Sequence, residues 1–153
     1  LERVCQLIEV ESDGVILISR DYDPSIPEFE ADKGQMIQAL LNICRNAMQA
    51  MLENKEQVER PMLILRTRTI RQFTIGHHRH RLVAQIDIID NGPGIPAALR
   101  EDLFYPMVSG RAEGTGLGLS ISQSLINQSQ GIIEFVSDAD KTTFSIYLPL
   151  EPL

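Results

Sequence analysis

The order of elements read along the chain predicts an α+β fold: a two-layer α/β sandwich in which a mixed, mostly antiparallel sheet carries about three helices on one face. Three observations carry that expectation. Short segments rich in β-branched residues alternate apolar and polar positions, and one long segment repeats its apolar residues at helical spacing. The resulting order is strand, helix, hairpin, irregular loop, helix, hairpin. With 153 residues, 43% hydrophobic and 23% charged, the chain has the size and composition of one globular domain covering 1–153.

Residues 1–10 are expected to form a short helix, and 15–20 a strand that ends in the turn-rich DYDPSIPE. Asp32 with Gln35 three positions on is a capping-box pattern, and the helix it opens continues to about Leu52. Residues 62–74 and 81–90 read as an antiparallel hairpin joined by the polar GHHRHR. A loop with Gly92, Pro93 and Gly94 follows, then a short helix with Pro96 in its first turn and an irregular stretch over 104–114. A second long helix is expected from about Thr115 to Gln130, stopped by Gly131, and two strands at 132–137 and 142–148 close the chain. The chain opens at Leu1, without a methionine and inside an apolar-periodic segment, so it is expected to be excised from a longer protein.

Charge and hydropathy exclude several classes of partner. Fourteen Lys and Arg against 21 Asp and Glu give a net charge of −7, so no bulk basic field exists to hold nucleic acid or anionic lipid. Any phosphate must be held locally. The apolar runs fall far short of the roughly 20 residues that span a bilayer, and no signal-peptide pattern is present. Cys5 and Cys44, 39 positions apart and without a CxxC spacing, suit reduced buried thiols. A cytoplasmic protein with neither nucleic-acid nor membrane partner is the expectation.

Three stretches carry chemistry. In GTGLGLS, residues 114–120, the glycines fail the dinucleotide fingerprint because Leu119 stands where a glycine is needed, and no lysine completes a P-loop. What remains is a backbone open to close approach and a helix N-terminus that offers N–H groups to an anion; a plain turn is the competing reading. In LVAQIDIIDNGPGI, Leu82, Ala84, Ile86 and Ile88 share one strand face, and Asp90 falls on it. A buried carboxylate needs donors, from its own backbone turn or from a ligand group such as the adenine amino group. Gly92 and Gly94 would let a flat ring lie against the chain. On the long helix, Met36, Ile37, Leu40, Leu41, Ile43, Cys44, Ala47, Met48 and Met51 cover one side, and Gln35, Gln38, Asn42, Arg45, Asn46 and Gln49 the other. Asparagine is a poor interior helix residue, and two of them one turn apart offer two side-chain oxygens, which suits Mg²⁺ held jointly with phosphates. A solvated polar face is the simpler reading of that helix alone.

NICRNA, DNGPGI and GTGLGLS occur in this order, separated by hairpin and lid segments, and together they resemble the nucleotide-binding domain of sensor histidine kinases, the Bergerat or GHKL fold. They correspond to its N, G1 and G2 boxes. DLFYPM resembles the F box, TTFSIYLP the last strand, and RDYDPSIPEFEADKGQMIQALLNI the opening strand, loop and helix. DYDPSIPE, LFYPMVSGR and the RTRT hairpin are most similar to the NtrB-type, nitrogen-regulation branch of that family.

The resemblance implies roles. Asn46, with Asn42 one turn earlier, would coordinate Mg²⁺ bridging the ATP phosphates. Asp90 would accept from the adenine amino group, with Gly92 and Gly94 shaping the pocket and Thr142 near the base. Gly114, Gly116 and Gly118 would pack the hinge of a lid spanning about 95–116 against the phosphates, and Phe104 would anchor it. Arg111 is the only cation between Arg100 and Lys141, which assigns it to the γ-phosphate; Asn46 and Arg111 are the catalytic pair. Gln49, Ile95, Thr115, Leu117 and Leu119 complete the nucleotide-binding set. Gln49 and Ile132 stand where relatives can carry a basic residue, and the DADK turn before Thr142 lacks the usual glycine.

The family's acceptor histidine sits in a motif that this chain lacks, because His77, His78 and His80 fall at the expected hairpin tip. The nucleophile is therefore expected from a dimerisation and phospho-acceptor domain of the same protein, with an NtrC-like response regulator downstream and a PII-like signal protein docking on this domain. Two alternatives are a different GHKL protein, either an ATPase or an anti-sigma-factor-type serine kinase, and a docking module in which nucleotide is only a structural ligand. Against the ATPases, the positions before Asn46 are Asn42, Ile43, Cys44 and Arg45, with no catalytic glutamate.

Overall fold

The computed structural model describes residues 1–29, 31–54, 56, 58–101, 103–104, 118–138 and 140–150. Helix α1 (Glu2–Glu11) precedes strand β1 (Leu17–Asp21), and helix α2 (Lys33–Glu53) follows. The hairpin β2 (Met62–Ile75) and β3 (His78–Asp90) leads to a one-turn helix α3 (Ala97–Arg100), then to helix α4 (Gly118–Gln128) and the hairpin β4 (Ile132–Asp138) and β5 (Lys141–Pro149). The strands form one sheet in the order β1-β2-β3-β5-β4, with β1 parallel to β2 and the other pairs antiparallel. This is the mixed α+β sandwich that the element order predicts.

Period-two alternation sorts the sheet's side chains. Leu63, Leu65, Ile86, Ile88, Ile133, Phe144, Ile146 and Leu148 form one core with Val4, Cys5 and Ile8 of α1, the apolar face of α2, and Leu119 and Ile126 of α4. The asparagine helix starts as its sequence dictates: Asp32 Oδ1 accepts the Gln35 N–H at 3.0 Å. Ser122 of α4, fully buried, donates to the Ala39 carbonyl of α2 at 2.8 Å and so fixes the two helices against each other.

Two boundaries differ from expectation. The β2–β3 pairing runs out to Ile75↔His78, skipping only Gln72, at φ +56°, and Arg81, so the turn is only Gly76 and His77, not GHHRHR. Gly76, at φ +61°, supplies the positive φ that a type II′ turn needs at its first central position. His78 and His80 are thus strand residues; His80 is buried, while His77 and His78 are exposed. Beyond Arg66 on β2 and before Val83 on β3 neither flanking strand is paired to the hairpin, so this arm lacks the core-facing alternation that marks a strand in sequence.

The stop of α4 also moves. The left-handed residue is Gln130, at φ +65°, and the Gly131 N–H closes the end on the Ile126 carbonyl at 3.0 Å. Gly131 is needed for another reason: a Cβ there would stand 2.5 Å from the Tyr147 carbonyl oxygen of β5. The expected start of this helix near Thr115 lies outside the described residues, of which Gly118 is the first helical one.

Candidate functional site

Asp90 ends β3 on the helix-covered face, in register between Leu63 of β2 and Thr142 of β5. It is 7% exposed, and its Oδ1 accepts the Gly92 N–H at 2.9 Å. Burial pushes its carboxyl up to about 6, and the Gly92 N–H only partly opposes that rise. A second carboxylate oxygen takes no donor from the described residues, so the group is half satisfied and open to a ligand N–H.

The loop after Asp90 is fixed from three sides. Asn91 Oδ1 accepts the Met62 N–H at 2.9 Å and its Nδ2 donates to the Arg60 carbonyl at 2.8 Å, tying the strand end to β2. A Cβ on Gly92 would stand 3.0 Å from Asp90 Oδ1 and 3.3 Å from Met51 Cγ, so the loop lies directly on α2. Gly94 takes φ +84°, and a Cβ on it would meet the Asp138 carbonyl oxygen at 2.1 Å; only glycine fits there. The next N–H, of Ile95, donates to Ser137 Oγ at 2.7 Å, and Ser137 in turn lies 2.8 Å from Thr142 Oγ1.

The other predicted residues are distributed along α2 and around this loop. Asn42 and Asn46 are half-buried and Gln49 is exposed. Arg45, on the same polar side by sequence, binds Glu11 of α1 through Nε at 3.0 and 3.1 Å, so its charge faces α1. Gly118 opens α4 against α2, with its missing Cβ 3.9 Å from Asn42 Cβ. Met51 under Gly92 and Asn42 beside Gly118 are nine residues apart, roughly 13 Å along the helix axis, and Asn46 lies between them. One helix therefore links the end that can read a base to the helix N-terminus that can receive phosphate, over the length of a nucleotide. Leu119 and Ile95 join the core, and Phe104 packs on Phe135 and Phe144 with ring centroids at 6.0 and 6.4 Å.

Arg111, Gly114, Thr115, Gly116 and Leu117 lie outside the described residues. Ile132 pairs with Tyr147 on the face opposite Ile133 and the core, away from this site. Ser137, Asn91 and Met51 are site residues that sequence reading missed. Ser137 carries no motif, and Met51 reads only as core; the sole signal for Asn91 is its place inside DNG.

The donor set fits a nucleotide with its own metal. Among the described residues no group of three or more His, Cys, Asp or Glu could hold a metal ion. A divalent cation between Asn42, Asn46 and the α4 N-terminus would take amide oxygens from the protein and the rest of its shell from phosphates.

Comparison with known proteins agrees with this geometry. The chain is similar to the sensory histidine kinase/phosphatase NtrB of Vibrio alginolyticus, 53% identical over 150 residues that make up 98% of this chain and 42% of that protein. It is likewise 53% identical to NtrB of Escherichia coli O157:H7 over 149 residues, 97% of this chain and 41% of the relative. The chain thus spans about two fifths of the length of these relatives. In fold it resembles the catalytic domain of the histidine kinase ThkA, with a TM-score of 0.76 at 24% identity over 97% of this chain and 89% of that one. Residues 31–152 match the family described as histidine kinase-, DNA gyrase B-, and HSP90-like ATPase, and the chain belongs to that ATP-binding family.

Proposed function

We propose that this chain is the Mg²⁺- and ATP-binding catalytic part of an NtrB-type sensor histidine kinase, donating the γ-phosphoryl group to a histidine on a separate dimerisation domain of the same cytoplasmic protein. The observation that carries the reading is Asp90, a buried, half-satisfied acceptor at a strand end, joined through Gly92 to the helix that bears Asn42 and Asn46. The identity to NtrB relatives along nearly the whole chain supports the kinase branch over the family's ATPases. So does the absence of a glutamate at the positions just before Asn46.

In this reading the chain's residues bind and orient. Asp90 fixes the base, Asn42 and Asn46 hold Mg²⁺, and the backbone at Gly118 with Gly114, Gly116 and Arg111 receives the phosphates. Mg²⁺ held by these amides would supply positive charge that offsets the charge of the phosphates. The nucleophile and its base arrive with the dimerisation domain. An NtrC-like response regulator then takes the phosphoryl group, and a PII-like signal protein regulates the exchange through this domain.

ATP-analogue fluorescence and phosphotransfer test this together. The chain should bind the analogue with Mg²⁺, and Asp90→Ala should abolish binding; unchanged affinity would sink the base assignment. A supplied dimerisation domain should be phosphorylated by the unmodified chain and not by Asn46→Ala. Phosphorylation of a serine on an added protein, with the histidine domain left unlabelled, would favour the serine-kinase alternative.

A further inference from the structure

Two facing hydroxyls beside the base end of the site hold an arrangement that follows from counting protons. Ser137 on β4 and Thr142 on β5 are direct register partners, 7% and 3% exposed, with their oxygens 2.8 Å apart. Ser137 Oγ also accepts the Ile95 N–H at 2.7 Å. Among the described residues neither side-chain hydroxyl has another hydrogen-bond partner. Two hydroxyl protons share one bond between them, so one proton is left over.

Geometry decides which. On the Ser137 side the Ile95 amide fills one lone pair, and Gly94 packs so closely that a Cβ there would stand 3.2 Å from Ser137 Oγ. No acceptor other than Thr142 Oγ1 bonds Ser137 Oγ among the described residues. Thr142 is instead registered with Asp90, and no side-chain hydrogen bond joins the two. An acceptor entering from the base side reaches Thr142 and not Ser137, and a buried hydroxyl proton without an acceptor is costly.

We propose that Ser137 is a positioning residue for the nucleotide base: held by the Ile95 N–H, it donates to Thr142 Oγ1 and so turns the Thr142 proton toward the ligand. The pocket then presents a carboxylate acceptor and a hydroxyl donor side by side. That pair complements an exocyclic amino group next to an aromatic ring nitrogen. The role rests on the ATP site proposed above and adds a residue that acts through another, without touching the nucleotide itself.

Equilibrium binding of ATP, 1-deaza-ATP and 7-deaza-ATP to the full chain tests it, because each analogue lacks one ring nitrogen beside the amino group. The unmodified chain should prefer ATP over one of the two analogues by about three- to tenfold, the worth of one hydrogen bond. Ser137→Ala and Thr142→Val should each bring that ratio close to one, and Thr142→Ser should keep it. A Ser137→Ala chain that weakens ATP and both analogues by the same factor would make Ser137 a loop clamp only and overturn the proposal. So would an unmodified chain that does not discriminate, or a ratio that survives Thr142→Val, the variant that keeps the Ile95 contact if Ser137→Ala disturbs folding. Asp90→Ala separates the two levels: if it leaves ATP binding unchanged, the base site is elsewhere. If it abolishes binding while Ser137→Ala leaves the ratio intact, only the role of Ser137 fails.

Discussion

Two buried aspartates stand three residues apart on β3, and their surroundings give them opposite roles. Asp87 is 1% exposed and fully engaged: Arg66 donates to its Oδ2 through Nε at 3.1 Å and Nη2 at 2.9 Å, while Ser145 and Gln85 donate to Oδ1 at 2.6 and 2.9 Å. Asp90 has one backbone N–H and a carboxyl raised to about 6 by burial. The sign of its pH effect follows from that rise. A carboxyl raised to about 6 when folded, against its ordinary value of 3.8, binds more protons in the folded state between those values, so stability falls as pH climbs through that window and stays lower above it. Asp90→Asn removes the buried charge and should stabilise the chain at pH 7.5 by about 2 kcal/mol, an advantage that vanishes near pH 4, while ATP binding is lost. Urea unfolding at the two pH values checks it; an equal gain at both would mean that the charge of Asp90 is not what burial makes costly. Asp87→Ala should act the other way, costing about 2–4 kcal/mol because Arg66, Gln85 and Ser145 lose their acceptor, with ATP affinity held within about twofold. A large loss of affinity in a chain that remains folded would contradict the assignment of Asp87 to the face away from the site.

At the scale of elements, what was legible is what repeats or caps. The apolar stripe of α2 and the Asp32 cap appear in the sequence because burial and an unpaired N–H each demand a residue type at a fixed spacing. Asp90 was legible because it interrupts the alternation of Ile86 and Ile88, whereas Asp87 reads as an ordinary outward polar residue although it is equally buried. At the far end of the β2–β3 hairpin the strand was legible to Thr74 but its return over His78–His80 was not, because an arm unpaired on both flanks has no core side to impose alternation. There the cues are contacts distant in sequence, such as Phe73 stacked on Tyr147 with ring centroids 4.5 Å apart. The link between Ser137 and Ile95 was hidden for the same reason: 42 positions separate them, and nothing local marks either one. Gly94 reads in the sequence as room for a flat ring, whereas the neighbour that requires glycine there is the Asp138 carbonyl oxygen, and at Gly131 the contact with β5 and not the helix stop makes it necessary.

For the molecule as a whole, charge sets a condition on how ATP can be held. The net charge is −7, yet the stretch from Arg60 to Ile86 holds six arginines and no acid, so positive charge is gathered on one hairpin and the remainder is strongly negative. Two described cations on or beside the site's elements are already engaged: Arg45 binds Glu11, and Arg100 Nε donates to the Ile95 carbonyl at 3.0 Å. In the proposed site a triphosphate approaching Asn42 and the α4 N-terminus would meet dipoles and amides, with Arg111 as the sequence's one candidate cation there. Mg²⁺ held by Asn42 and Asn46 as proposed would contribute most of the charge neutralisation at the phosphate end and none at the base end. Chelating Mg²⁺ should weaken ATP binding by about tenfold or more, roughly 1.4 kcal/mol or more, and leave adenosine binding unchanged. Asn46→Ala should reproduce the chelator's effect on ATP and make the chain insensitive to further chelation, while Asp90→Ala should lose adenosine and ATP alike. Calorimetric titration of both ligands with and without chelator distinguishes the two ends of the site. A loss of adenosine binding on Mg²⁺ removal would place the metal at the base, and an Asn46→Ala chain still sensitive to chelator would place it away from α2.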